Sequence, residues 1–141
     1  MPAYIPPLLG LIGLLIALGI FRVVLSYSEG SPEVKKIGDM IHSGAMSFMK
    51  TEYTYLVVFV FVLAALVFFA LGWETATAVL VGASSSALAG FIGMYAATKA
   101  NTRTAAAASE SGAAAALSIS FYGGSITVSY THLTLPTTVI V

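Results

Sequence analysis

The sequence predicts an all-α, polytopic transmembrane helix bundle, with three complete helices and the start of a fourth. Only 9% of the residues are charged and the mean hydropathy is +0.95, whereas soluble chains contain roughly 25% charged residues. Charge-free runs occupy residues 1–21, 53–73 and 75–98. Each run has the roughly 20 residues that a helix needs to cross about 30 Å of hydrocarbon. The third run is also rich in small residues, which is typical of helices packed inside membrane bundles.

The charge balance and the lack of cysteine narrow the possible functions. Six basic and six acidic residues cancel, so nothing in the charge points to nucleic acid as a partner. The chain contains no cysteine, which excludes disulfides, thiolate catalysis and Cys-based metal sites.

Residues 1–28 are assigned to the first transmembrane helix, and Arg22 ends its charge-free run. A signal peptide is the alternative interpretation. However, the segment has no basic start and continues without an A-x-A cleavage pattern. Residues 53–73 and 75–98 form the second and third transmembrane helices, which Glu52, Glu74 and Lys99 delimit.

Charges in the connecting segments predict the orientation. The basic residues that follow run one and run three are Arg22, at the edge of run one, and Lys35, Lys36, Lys50, Lys99 and Arg103. The turn between runs two and three carries only Glu74. Because basic loops face the cytoplasm, we expect the N-terminus and Glu74 on the outside. The membrane expected for this multi-pass protein is a prokaryotic inner membrane.

Residues 29–52 are expected to form a cytoplasmic loop and an amphipathic helix. Ser31 and Pro32 are typical of an N-cap followed by the first helical position. An apolar stripe follows at helical spacing, formed by Val34, Ile37, Ile41, Ala45, Phe48 and Met49. One continuous helix over residues 32–72 would be about 60 Å long, so its first half would project into the cytoplasm and pack on other helices. The alternative is that this half lies on the membrane surface.

The third run differs from the second in the size of its side chains. Its small-xxx-small pairs are Ser86/Gly90, Ala89/Gly93 and Gly93/Ala97. This spacing lets helix backbones approach closely, so we expect the third helix to be buried among more helices than three.

Several polar residues are candidate functional residues. His42 and Asp39 are three residues apart, but two ligands make a weak metal site, and a solvated or helix-contacting His42 is the favoured interpretation. Glu52 and Glu74 mark membrane boundaries, whereas a transport carboxylate would lie within a span. Ser84, Ser85 and Ser86 are expected to hydrogen-bond back to the helix backbone. The sequence has no phosphate-binding loop. We assign no catalytic, cofactor-binding or metal-ligating residue.

Three ordered blocks read SGAMSFMKTEY at residues 43–53, LGWETA at residues 71–76 and VGASSSALAGFIGMYAATKANTRTAAAA at residues 81–108. Together they resemble the membrane-integral, ion-pumping inorganic pyrophosphatases. Their family-like positions are Gly44, Ala45, Phe48, Glu52 and Tyr53, then Gly93, Met94, Ala97, Thr98, Ala100, Asn101, Arg103 and Thr104. FYGGS at residues 121–125 resembles the Gly-Gly stretch that opens the family's fourth helix.

The resemblance implies a pump that hydrolyses pyrophosphate with Mg²⁺, with a possible K⁺ requirement, and moves H⁺ or Na⁺ across the membrane. It also implies a many-helix homodimer in the lipid bilayer. The family's Asp- and Lys-rich catalytic motifs do not occur in this sequence, so no position inherits a catalytic or Mg²⁺-binding role. The chain is therefore expected to be an inactive N-terminal fragment of such a pump. A topology-setting role for Arg103 is favoured over a phosphate contact.

The last part of the chain changes character. Residues 99–126 are expected to be a cytoplasmic loop and the start of a fourth helix at Gly123. Residues 127–141 are interpreted as sequencing-adapter read-through. One DNA sequence that encodes residues 128–137 resembles a transposase adapter used in sequencing libraries. The alternative is a native β-strand, since Thr and Tyr favour strands.

Two further function classes stay open. A rotary-ring proteolipid would be rich in Gly and Ala, but it needs a carboxylate in mid-membrane, and the three charge-free runs have none. A small non-catalytic membrane structural or assembly subunit would account for the small residues. It would leave the ordered blocks unexplained.

Overall fold

The computed structural model describes the backbone of residues 5–138 and the side chains of residues 8 and 10–128. Four helices fill the described range: α1 (Ile5–Ser26), α2 (Pro32–Leu71), α3 (Trp73–Glu110) and α4 (Ala113–Thr138). The all-α helix bundle expected from the sequence is confirmed. The expectations for residues 1–4 and 139–141 lie outside the described residues.

Local chemistry explains where the helices begin and end. Ser31 caps α2: its backbone is extended and its side-chain oxygen accepts a hydrogen bond from the Val34 amide. Pro32 follows at the first helical position, where a missing amide proton costs nothing. Gly72 and Gly112 separate α2 from α3 and α3 from α4, with φ of 89° and 86°. Other residues adopt such angles only with strain, so each glycine permits a sharp helix-to-helix turn.

The second helix is continuous, as the sequence predicted. It has 40 residues, which correspond to about 60 Å, or twice the hydrocarbon thickness. Its spanning half carries large apolar side chains that are exposed within this chain, such as Phe59, Leu66 and Phe69. No break separates the two halves, and projection of the first half into the cytoplasm stays a prediction.

α3 lies at the centre of the arrangement. It packs on α2 along one side and on α4 along the other, while α1 packs on α4 and touches α3. The core lies where α1, α3 and α4 meet and consists of Ala17, Val24, Ala96, Ala100 and Ile126. At this level a Cβ added to Gly123 would lie 2.6 Å from the Ala100 Cβ, so the glycine allows α3 and α4 to approach closely.

Two helices, α2 and α3, are long and apolar enough to cross a membrane. The described apolar parts of α1 and α4 are shorter and cover residues 10–26 and 113–128. The small-residue face expected to be buried along the whole third run is buried only in its second half. Gly93 and Ala96 are buried, whereas Gly82 and Ser86 are exposed, because none of the four described helices covers them.

The apolar stripe predicted on the projecting half of α2 is only partly correct. Val34 and Ala45 are half-buried and Met49 is buried. The other members are exposed, namely Ile37, Ile41 and Phe48. The seam with α3 instead includes buried Gly38 and half-buried His42, which a search for large apolar residues overlooks.

The expected bounds near the chain end were wrong in two places. Residues 99–110 continue α3 instead of forming a loop, and α4 begins at Ala113 instead of Gly123. Both segments contain alanine runs, and alanine has the highest helix propensity. Residues 127–138 are helical, so the β-strand alternative was also wrong. Adapter read-through as the origin of residues 127–141 stays a prediction.

Candidate functional site

Polar contacts concentrate on one half of the α2–α3 seam, the half that carries the basic residues. Three pairs cross it: Glu29 with Arg103, Asp39 with Lys99, and His42 with Thr98. We call these six residues the polar ladder. It joins the α1–α2 connection and the projecting half of α2 to the second half of α3.

Arg103 is the most buried charged member of the polar ladder, with 6% of its surface exposed. Its Nη2 lies 3.1 Å from Glu29 Oε1. Its Nε donates to the Tyr27 carbonyl at 3.2 Å and its Nη1 to the Lys99 carbonyl at 3.0 Å. Charge-assisted bonds of this kind offset the cost of burying a guanidinium. Arg103 therefore ties the α1–α2 connection to α3.

Glu29 has a second basic partner, Lys35, whose Nζ lies 3.1 Å from Glu29 Oε2. The hydrogen bond from Lys35 lowers the pKa of Glu29 below its ordinary value, and the Arg103 charge acts in the same direction. Partial burial opposes this shift without cancelling it. The Glu29 carboxylate consequently stays ionised through the neutral and mildly acidic range.

His42 contacts a neighbouring helix, as the sequence analysis favoured. Its Nδ1 lies 2.7 Å from Thr98 Oγ1, and its ring meets Tyr95 edge-on with centroids 5.0 Å apart. Thr98 Oγ1 is also 3.0 Å from the carbonyl oxygens of Met94 and Tyr95, to which its single proton is donated. We therefore assign the neutral imidazole proton to Nδ1, with Thr98 as acceptor.

The Asp39 carboxylate faces α3 rather than pairing with His42. Asp39 Oδ1 lies 3.8 Å from Lys99 Nζ. Among the side chains of residues 8 and 10–128, no three His, Asp or Glu residues gather as metal ligands. The arrangement is therefore that of a helix-packing site whose charges compensate one another.

Next to the polar ladder, α2 and α3 separate and leave an apolar groove of about 600 Å³. Tyr53 lies at its side, and its hydroxyl donates to the Ala87 carbonyl at 2.5 Å. Glu52 lines the groove together with Leu56, Val60, Ala83 and Ala87. We call this the α2–α3 groove.

The remaining candidate residues from the sequence lie on α3. Ser84 and Ser85 hydrogen-bond back to the Leu80 and Val81 carbonyls, at 2.7 and 2.9 Å, as expected. Glu74 lies in the first turn of α3, next to the Gly72 turn, whereas Glu52 lies midway along α2. The structure thus places Glu52 on a groove and leaves Glu74 at a turn.

Sequence reasoning missed the pairing of Glu29 with Arg103. Arg103 was considered as a topology signal or a phosphate contact, and neither interpretation included an ion pair with the α1–α2 connection. The two residues lie in different segments, and no periodic pattern connects them. The position of Glu29 and Gly30 just before the Ser31 cap was a weak indication of this contact.

The chain belongs to the class of polytopic membrane proteins built as helix bundles. Its long helices, its apolar spans and the charge-compensated α2–α3 seam are typical of that class. The particular family follows from comparison: the family model for inorganic H⁺ pyrophosphatase matches residues 11–140. The chain belongs to this family. The match reaches into residues 127–141, the segment interpreted from sequence as adapter read-through.

Curated relatives support the same family. A putative K(+)-stimulated pyrophosphate-energized sodium pump of Clostridium tetani is 41% identical over 119 residues, 84% of this chain and 18% of the relative. A K(+)-insensitive pyrophosphate-energized proton pump of Methanosarcina mazei is 41% identical over 123 residues, 86% of this chain and 18% of the relative. A K(+)-stimulated sodium pump of Thermotoga maritima is 38% identical over 117 residues, 79% of this chain and 16% of the relative. The chain thus spans less than a fifth of the length of these relatives.

Proposed function

We propose that this chain is part of a pump that couples hydrolysis of Mg-pyrophosphate to movement of H⁺ or Na⁺ across a membrane. The observation that carries the proposal is the family match over residues 11–140. The relatives named as pyrophosphate-energized pumps support it, because their identity extends over most of this chain.

The role proposed for this segment is structural. The polar ladder holds α2 and α3 together beyond the hydrocarbon, so that both helices project on the side carrying the basic residues. By the positive-inside rule this side is the cytoplasm, which puts the N-terminus and the Gly72 turn outside. Within the proposal, hydrolysis takes place on parts of the pump outside this chain, and Mg²⁺ is held there.

The pump is further proposed to be a homodimer in a prokaryotic inner membrane, with K⁺ as a possible activator. Relatives of both kinds, K(+)-stimulated and K(+)-insensitive, are about equally similar to this chain. The choice between H⁺ and Na⁺ is therefore left to experiment. Gly82, which is exposed and lies outside the lining of the α2–α3 groove, supports the presence of further protein around α3.

Phosphate release tests the proposal. Membranes containing the product of the complete gene should hydrolyse pyrophosphate in a Mg²⁺-dependent manner, whereas membranes containing residues 1–141 alone should not. Hydrolysis by the 141-residue chain would show that catalytic groups lie in this segment. No hydrolysis by the complete, membrane-inserted product would contradict the proposed function.

A further inference from the structure

The α2–α3 groove has the length of one membrane leaflet. Its lining extends from Met49 to Phe61 on α2 and from Leu80 to Met94 on α3, which corresponds to about 18 and 21 Å at 1.5 Å per residue. Half of the hydrocarbon thickness is about 15 Å. The groove starts at the boundary marked by Glu52 and ends well before the Gly72 turn. It therefore lies in the half of the bilayer next to the polar ladder.

The walls of the groove suit a flexible alkyl chain. Its floor on α3 includes Ala83, Ala87 and Gly90, and its α2 wall includes Leu56 and Val60. A transmembrane helix is about 10 Å wide and would need a seam through both leaflets. A lipid acyl chain needs only one leaflet, and it is as apolar as the Leu56 and Val60 side chains that it would contact. The length of the groove favours the acyl chain as its occupant.

The mouth of the groove carries negative charge. Glu52 lines it, and no ion pair is found for Glu52 among the described side chains. Lys50 lies two residues earlier and lines a neighbouring surface with Thr54 and Phe91. Positions two apart on a helix point in nearly opposite directions. A headgroup at this mouth thus meets a carboxylate, which attracts an ammonium group and repels an additional phosphate charge.

We propose that the α2–α3 groove binds one acyl chain of phosphatidylethanolamine, with Glu52 accepting hydrogen bonds from its primary ammonium group. A choline headgroup carries the same charge but has no N–H donor. A glycerol headgroup leaves the lipid anionic. The proposal therefore predicts selectivity by headgroup in addition to retention of a lipid. It requires insertion in a membrane but does not depend on pyrophosphate.

Native mass spectrometry tests the proposal on the 141-residue chain. The chain is reconstituted in nanodiscs with equal amounts of phosphatidylethanolamine, phosphatidylcholine and phosphatidylglycerol, then released into mild detergent. The expected result is one retained lipid, with the ethanolamine lipid about fivefold over the choline lipid. This ratio corresponds to about 1 kcal/mol for a charge-assisted contact at an exposed boundary.

Two pairs of variants distinguish the contribution of the headgroup to lipid binding from that of the acyl chain. Glu52→Gln should abolish the preference for phosphatidylethanolamine, and the matched control Glu74→Gln should keep it. Ala83→Phe should fill the groove and prevent retention of all three lipids, whereas Ala78→Phe, outside the groove lining, should retain lipid as before. Far-UV circular dichroism checks that each variant keeps its helix content.

Several results would overturn the proposal. They are equal retention of the three lipids, an unchanged preference in Glu52→Gln, or full retention in a helical Ala83→Phe chain. Photo-crosslinking from position 83 to a second copy of the chain would assign the groove to protein instead. If Ala83→Phe fails to fold, the lipid preference of Glu52→Gln, compared with that of Glu74→Gln, tests the proposal by itself. Because no pyrophosphate is present, failure here leaves the proposed pump function untouched.

Discussion

Arg103 Nη2 lies 3.1 Å from Glu29 Oε1, with 7% of the Arg103 side chain and 27% of the Glu29 side chain exposed. The pair connects the segment between α1 and α2 to the second half of α3. Because α3 packs on both α2 and α4, this contact fixes the α1–α2 connection to the central helix. The ion pair is the main polar tie of the fold described here.

Removal of Arg103 should destabilise the bundle substantially. Arg103→Met leaves Glu29 with only Lys35 and leaves the Tyr27 carbonyl without its donor, and we expect a loss of about 2–4 kcal/mol in the free energy of unfolding. Arg22→Met, at an exposed position, is the matched control. Denaturation in detergent micelles, followed by circular dichroism, measures both.

A double-mutant cycle isolates the contact itself. Glu29→Gln and Arg103→Met should be non-additive, because each removes the same ion pair. Additive effects of the two substitutions would contradict the assigned pair.

Gly38 is expected to tolerate no side chain, because an added Cβ would overlap the Thr102 side chain. Gly38→Ala should therefore destabilise the α2–α3 seam by about 1–3 kcal/mol. Gly44→Ala is the control on the same helix: an added Cβ there meets nothing within 4 Å. It should stabilise α2 by about 0.5–1 kcal/mol. Equal effects of both substitutions on thermal stability would contradict the close approach.

The His42–Thr98 hydrogen bond predicts a spectroscopic signature. Neutral His42 should show its proton on Nδ1 in ¹⁵N NMR spectra, because Thr98 Oγ1 acts as the acceptor. Thr98→Val keeps the shape of the side chain but removes that acceptor, and should lower the free energy of unfolding by about 1–2 kcal/mol. A His42 tautomer protonated on Nε2 in the unaltered chain would show that the assigned direction is wrong.

Acid should weaken the attachment of the α1–α2 connection. The pKa of Glu29 is lowered from its ordinary value of 4.5, first by the hydrogen bond from Lys35 and also by the Arg103 charge. A carboxyl with a lowered folded-state pKa contributes stability that is full above its unfolded value and is lost as pH falls through the folded value. Stability should therefore decline below about pH 4.5. Unfolding curves from pH 7 to 3 should show a smaller decline in Glu29→Gln, and an identical decline would contradict this assignment.

The origin of residues 127–141 has a direct test. Genomic reads across the codons for Ile126 and Thr127 should diverge from this sequence if adapter read-through produced the segment. Reads that continue into TVSYTHL with ordinary coverage would establish the segment as native. In that case the helix over residues 127–138 belongs to α4 of the natural protein.

Local features of the fold could be predicted from the sequence. The start of α2 depends on Ser31 and Pro32 alone, and the structure shows the Ser31 side chain accepting from the Val34 amide. The spanning runs depend on length and charge, which the sequence displays directly. By contrast, Lys99 and Arg103 suggested a loop after the third run, whereas the alanines that follow them extend α3 to Glu110.

The seam and the polar ladder could not be predicted in the same way. Gly38 and His42 face α3, but neither adds to an apolar stripe, so the predicted stripe included exposed Ile37 and Phe48. The Glu29–Arg103 pair depends on how two distant segments meet, and this depends on packing across three helices. The α2–α3 groove likewise depends on the separation of two helices, which residue spacing does not encode.

Pyrophosphate-driven ion movement is the most direct test of the proposed function. The complete gene that contains this segment is expressed in a host that lacks such a pump, and inverted membrane vesicles are prepared. Addition of Mg-pyrophosphate should acidify the vesicle lumen or load it with ²²Na⁺, and an ionophore for that cation should abolish the gradient. Vesicles with the complete protein inserted that hydrolyse no pyrophosphate and build neither gradient would contradict the account.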